Sequence, residues 1–150
     1  MKLLIEKNIL ILLVLLAFQF APAQEKSNPL LIDSFTYSNS EDASVRLDYW
    51  RIELDKTPQN RGFVIVYGGQ AGKRGEVEAH LRGIKQAFGL KRIDKKRVIL
   101  RTGGFRGKLT VELWILPENS SAPLPTPTIA VNKVRFKGVS RKIIPYECCF

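Results

Sequence analysis

The chain has 150 residues, 24 of them Lys or Arg against 14 Asp or Glu, for a formal charge of +10, with two cysteines and one histidine. That length suits one ordinary domain with a modest core, not two. A single histidine, His80, excludes histidine-rich metal sites, and a Ser-His-Asp arrangement would have to use this one ring at the midpoint of a predicted helix.

The opening stretch MKLLIEKNILILLVLLAFQFAPAQ has lysines near its start, an apolar run from Ile9 to Phe18 and small residues at Ala21 and Ala23. This is the layout of a secretory signal peptide over residues 1–23, cleaved after Ala23. Read as a membrane anchor, the apolar run is about half the roughly 20 residues a spanning helix needs. No cysteine follows the cleavage step to carry lipid. Removing Lys2, Lys7 and Glu6 with the leader leaves +9 on the mature chain. Such a balance favours anionic partners. For an exported protein, periplasmic or extracellular, these are cell-wall polymers, anionic lipid head groups or acidic proteins, and not nucleic acid. A basic surface that only aids solubility is the plain alternative.

PLLIDSFTY predicts a strand over Leu30–Tyr37. After cap-type residues, Ala43, Leu47, Trp50 and Leu54 recur at spacings of four, three and four, the stripe of an amphipathic helix. Pro58 and Asn60 end it, and Trp50 falls on its packing face. FVIVY then reads as a central strand covered on both sides. A second helix begins near Gly75, with Val77, Leu81, Ile84 and Phe88 at the same spacings and Gly89 as its stop. RVILR, from Arg97 to Arg101, is a short strand, and Gly103 and Gly104 mark a turn. KLTVELWIL, from Lys108 to Leu116, alternates as a last strand, with Trp114 on the face opposite Leu113, either under the helices or exposed. This order calls for an α/β fold with both helices packed on one mixed sheet.

Residues 117–128, PENSSAPLPTPT, are an extended Pro/Ser/Thr-rich linker, and Asn119-Ser120-Ser121 fits the glycosylation triplet. Residues 129–150 form a basic tail in which Val134 and Phe136 alternate with Lys133, Arg135 and Lys137. It cannot bury a core alone, so it is loose, docks on the domain or pairs with another chain. Adjacent Cys148 and Cys149 suit an intermolecular disulfide or free thiols better than a strained ring between neighbours.

The stretch VIVYGGQAGKRGEVEAH invites comparison with phosphate-binding loops. Gly68 and Gly72 are separated by three residues instead of four, and Arg74 stands where the magnesium-binding hydroxyl belongs. The dinucleotide fingerprint also fails on spacing. Two readings remain. In one, the glycines make a tight strand-to-helix passage, with Glu76 and Glu78 complementing the helix dipole. In the other, Gly68 to Gly75 is an open basic loop whose amides, with Lys73 or Arg74, receive a carboxylate or phosphate. The carboxylate pairs, such as Glu41 with Asp42, sit at helix starts, and neither a catalytic constellation nor a cofactor motif emerges.

From about Leu30 to Leu116 the chain resembles the OmpA-like domain family. The resemblance is carried by SVRLDYWRIEL, FVIVYGG, EVEAHLRGIKQAFGL, KRIDKKRVILRTGG and LTVELWIL. It implies an α+β sandwich of βαβαββ order, with two helices on a four-stranded mixed sheet over residues 24–116, and a non-enzymatic role in gripping peptidoglycan. The family's binding Asp after the second strand is replaced here by Gln70, which offers no charge, and the family's helix Arg falls near His80 or Arg82. The contact surface this implies comprises Tyr67, Gly68, Gly69, Gln70, Lys73 and Arg74, with Arg82 and Arg106 nearby. The alternative is an interaction module that dimerises or docks on a protein partner through the Cys-containing tail.

Overall fold

The computed structural model describes residues 27–146. The predicted leader, Cys148 and Cys149 lie outside them. Four strands, β1 (Leu30–Thr36), β2 (Arg61–Gly69), β3 (Val98–Arg106) and β4 (Thr110–Leu116), alternate with two helices, α1 (Ser40–Asp55) and α2 (Glu76–Leu90), in the order β1-α1-β2-α2-β3-β4. The sheet order is β1-β4-β2-β3. β4 runs antiparallel to both β1 and β2, whereas β3 is parallel to β2. The expected α+β fold, two helices on one four-stranded mixed sheet, is therefore the fold observed, and its topology agrees in general with the OmpA-like type.

The stripes explain the helices. Ala43, Leu47, Trp50 and Leu54 of α1 are buried, as are Val77, Ile84 and Phe88 of α2, and Leu81 packs against the same cluster. They meet Val64, Val66, Val111, Leu113 and Ile115, the inner faces of the two central strands. Burying side chains of this size contributes about 1.5–3 kcal/mol each before entropy is counted. Asn39 caps α1 by accepting from the Asp42 amide at 2.9 Å. Arg97 closes its other end, donating to the Leu54 carbonyl at 3.0 Å. Trp50 is core, as its stripe predicts, and its Nε1 donates to the Trp114 carbonyl at 3.0 Å.

The opposite face of the sheet carries a smaller cluster of Phe63, Ile65, Tyr67 and Leu116, with half-buried Trp114 beside it. β2 is thus apolar on both sides, as FVIVY requires. Here the structure departs from the sequence reading at one place. Gly103 and Gly104 make no turn but belong to β3, which runs on to Arg106. Gly103 lies against the Tyr67 ring, where a Cβ would clash, and Gly104 has φ of 85° within an irregularity in the β2–β3 register.

Because β3 and β4 are not neighbours, residues 107–109 must cross the end of β2 to connect them. They do so directly over Gly69, where a Cβ would stand 3.1 Å from the Leu109 amide nitrogen. Gly68 is pressed against the Phe105 ring in the same way. The paired glycines that ended the predicted strand are there to let another segment pass.

Candidate functional site

The loop from Gln70 to Gly75 joins β2 to α2. Gly75 occupies the helix N-cap with φ of 78°, and no side chain caps the helix from that position. The Glu76 carboxylate turns back instead and accepts from the Lys73 amide at 3.2 Å. Gly72 donates to the Gly69 carbonyl at 3.2 Å, and Glu76 donates its amide to the Lys73 carbonyl at 3.1 Å.

Four further main-chain groups of the loop bond to the tail. Arg135 donates to the Gln70 carbonyl at 2.8 Å, Lys137 to that of Gly72 at 2.9 Å, and Ser140 to that of Arg74 at 2.8 Å, while Arg74 donates to the Gly138 carbonyl at 2.9 Å. The amides of Gly72, Lys73, Arg74 and Glu76 therefore all have partners within the chain. The carboxylate that this loop's amides receive is that of Glu76, at the Lys73 amide. Of the three fates open to the tail, docking on the domain is the one its described part shows. Phe136 lies edge-on to Phe105 with ring centres 6.0 Å apart, and the Arg74 guanidinium sits 5.5 Å from the Phe136 ring centre. These groups close over a cavity of about 160 Å³ lined by Gly68, Gly72, Lys73, Glu76, Phe105 and Phe136 among others.

The eight residues singled out from the sequence fall in three places. Gln70, Lys73 and Arg74 are exposed on the loop, above buried Gly68 and Gly69. Arg82 is exposed on α2 and lines neither the loop cavity nor the cleft around Gln70. Tyr67 and Arg106 are on the far face of the sheet. The Arg106 guanidinium stacks 3.6 Å from the Tyr67 ring centre and bonds Glu112 Oε1 and Thr126 Oγ1, each at 2.7 Å. Glu112, 6% exposed, also accepts from Tyr67 Oη at 3.2 Å and Trp114 Nε1 at 3.1 Å. The Thr126 amide donates to Tyr67 Oη at 3.2 Å, and Thr128 and Ile129 donate to the Phe105 carbonyl. This network fastens the proline-rich segment to the back of the sheet, and its donors and acceptors are committed to one another.

A different set of residues surrounds the loop. Gln70, Ala71, Gly107, Asn132, Lys133 and Arg135 line an open cleft of about 610 Å³. Lys137 stands opposite Gly72, next to Lys73. Among the described residues, Lys73, Arg74, Lys133, Arg135 and Lys137 make no ion pair. The cleft lining has two side-chain amides, two cations, Lys133 and Arg135, and no carboxylate, a chemistry suited to an anion that also carries amide or hydroxyl groups. The tail's alternating pattern was visible in the sequence, but nothing local said which surface it would lie on.

Beneath the end of the tail, His80 is 3% exposed and its Nδ1 lies 2.8 Å from Tyr146 Oη. Tyr37 packs edge-on to the His80 ring at 4.8 Å and donates its hydroxyl to the Pro145 carbonyl at 2.7 Å. Burial lowers the His80 pKa to about 4 and pushes the Tyr146 phenol well up. Among the described residues no group of three or more His, Cys, Asp or Glu could hold a metal ion, and no helix is long and apolar enough to cross a membrane.

Comparison with protein-family models, curated proteins and solved structures finds no match for this chain. The likeness to OmpA-like domains is thus one of element order and sheet type.

Proposed function

We propose that this chain is an exported, non-enzymatic cell-envelope protein that binds peptidoglycan or another anionic envelope polymer, as a divergent relative of the OmpA-like type. The observation that carries this reading is the tail's pairing with the glycine loop. It brings Lys133 and Arg135 to one cleft with Gln70 and Asn132, and sets Lys137 against the adjoining loop that carries Lys73 and Arg74. The cleft offers charge and amide groups together, which is what a polymer of amidated or acetylated sugars with carboxylates or phosphodiesters presents. Gln70 contributes an amide where a carboxylate would have repelled such anions. A non-enzymatic role is supported by the setting of His80, which is buried and engaged with a tyrosine.

The test is co-sedimentation of the full mature chain with insoluble peptidoglycan, intact and stripped of secondary anionic polymers. Retention at low salt is expected. It should be lost when Lys133→Ala, Arg135→Ala and Lys137→Ala are combined, and kept when Lys95→Ala, Lys96→Ala and Arg101→Ala are combined away from the loop. No retention of the unaltered chain at low salt overturns the proposal. The rival, dimerisation through the tail, has less support because Arg135, Lys137, Ser140 and Ile144 donate their amides to the chain's own domain. A band at twice the monomer mass in non-reducing electrophoresis, abolished by Cys148→Ser with Cys149→Ser, would favour it.

A further inference from the structure

The tail is held at two points of different character. Along Arg135–Ser140 it is fixed by four main-chain hydrogen bonds to an exposed loop. Such bonds exchange readily with water and contribute on the order of 1 kcal/mol each. At its end it is fixed by Tyr146, which is fully buried between Tyr37 and His80. The seat is made to measure. Gly83, one turn beyond His80 on α2, lies directly under the Ile144 carbonyl, where a Cβ could not fit. Ile144 in turn donates its amide to the Ala79 carbonyl at 3.3 Å.

We propose that the Tyr146–His80 contact is an acid-operated latch: protonation of His80 releases the tail from α2 and uncovers the main chain of the glycine loop. In the latched state the neutral ring presents one nitrogen lone pair, and Nδ1 is the atom that meets the Tyr146 hydroxyl. A protonated imidazole has two donors and no acceptor, so Nδ1 can no longer accept from the Tyr146 hydroxyl, and a charge is left in a buried seat. The groups facing the ring do not compensate it. From the end of β1 comes the Tyr37 phenol, and from the tail the Tyr146 phenol. Of the acids on α2, Glu76, one turn before, is turned to the Lys73 amide and Glu78 is exposed, and Asp42 at the start of α1 is paired with Arg46. Among the described residues the His80 ring takes part in no ion pair.

Opening lets His80 return to water and to its ordinary pKa of 6.5 from about 4. Linkage then raises the open fraction of the tail about 30-fold between pH 7.5 and pH 5. Release frees the Arg74 amide and the carbonyls of Gln70, Gly72 and Arg74, and separates Phe136 from Phe105. It also takes Asn132, Lys133 and Arg135 away from the cleft. If the polymer-binding reading holds, binding weakens as the tail opens, but the latch itself does not depend on that reading.

The experiment is hydrogen exchange of the full chain at pH 7.5 and pH 5, corrected for the intrinsic pH dependence of amide exchange. The readouts are residues 135–146 and the loop 70–75, with β2 and β4 as internal references. Tail and loop amides should exchange through an opening of lower free energy than the global unfolding that exposes the β2 and β4 amides, and their protection should fall by about the predicted 30-fold. His80→Gln, which retains an acceptor but does not titrate, should abolish the pH dependence. Tyr146→Phe, which keeps the buried ring, should raise tail exchange already at pH 7.5. Equal corrected protection of the tail at the two pH values in the unaltered chain overturns the proposal, as does full pH dependence in His80→Gln.

Discussion

Arg106 and Tyr67 are stacked face to face, 3.6 Å from guanidinium to ring centre, over the buried carboxylate of Glu112. The two residues come from the ends of adjacent parallel strands, and each also binds Thr126 of the proline-rich segment. What the sequence suggests as ligand-binding groups thus serves as a clamp, fixing an extended segment on the back of the sheet.

The clamp makes a strong prediction for stability. Arg106→Ala leaves Glu112 buried without its cation, a loss of about 3–5 kcal/mol by the precedent of broken buried pairs. Urea denaturation should show the lowered midpoint with little change in slope. A midpoint within about 0.5 kcal/mol of the unaltered chain, the range of ordinary surface substitutions, would mean that the pair is no clamp.

Gly83→Ala separates tail docking from core stability. The new methyl group faces the Ile144 carbonyl, so the tail has to lift off α2. Trypsin at neutral pH should then cut after Arg141 or Lys142, while the domain up to Leu116 resists. Persistent resistance in the tail would show that the Ile144 contact is not what seats it.

Gly69→Ala tests the strand crossing. Its Cβ would stand 3.1 Å from the Leu109 amide nitrogen, against backbone that cannot rotate away. A destabilisation of about 1–3 kcal/mol is expected, in the range of other overpacked sites. Gly107→Ala, in the same connection but with open space around it, should be nearly neutral. Similar thermal midpoints for the two variants would contradict the assignment.

Acid sensitivity follows from His80. Its pKa is lowered in the folded state, so above pH 6.5 it contributes nothing to the pH dependence. As pH falls from 6.5 towards about 4, the unfolded chain binds the proton that the folded one refuses, and stability drops. The loss reaches at most about 3 kcal/mol and levels off below pH 4. His80→Gln should flatten that part of the stability curve, read by urea titration at a series of pH values.

Much of the fold is legible in local pattern. The four-three-four stripes of Ala43 to Leu54 and Val77 to Phe88 both face the sheet, and FVIVY is covered on both sides because helices lie over one face and Thr126 and its neighbours approach the other. Where pattern misleads, distant residues have intervened. Gly103 and Gly104 resemble a turn, yet Gly103 is dictated by the Tyr67 ring beside it. The loop around Lys73 looks open from its sequence, because Arg135, Lys137 and Ser140, which bond it, lie far along the chain. The Tyr37–His80–Tyr146 cluster draws on both ends of the described chain, and no local spacing announces it. The candidate site was therefore half readable: its loop from composition, its walls only from the way the tail folds back.

The position of β4 also governs how the molecule is made. The last strand to leave the ribosome is an inner one, with β1 on one flank and β2 on the other. Until Leu116 has emerged, the earlier strands face a gap where their shared neighbour belongs, and no N-terminal fragment can close the layer. The complete four-stranded layer therefore closes only when the end of the domain is available to join β1 to β2.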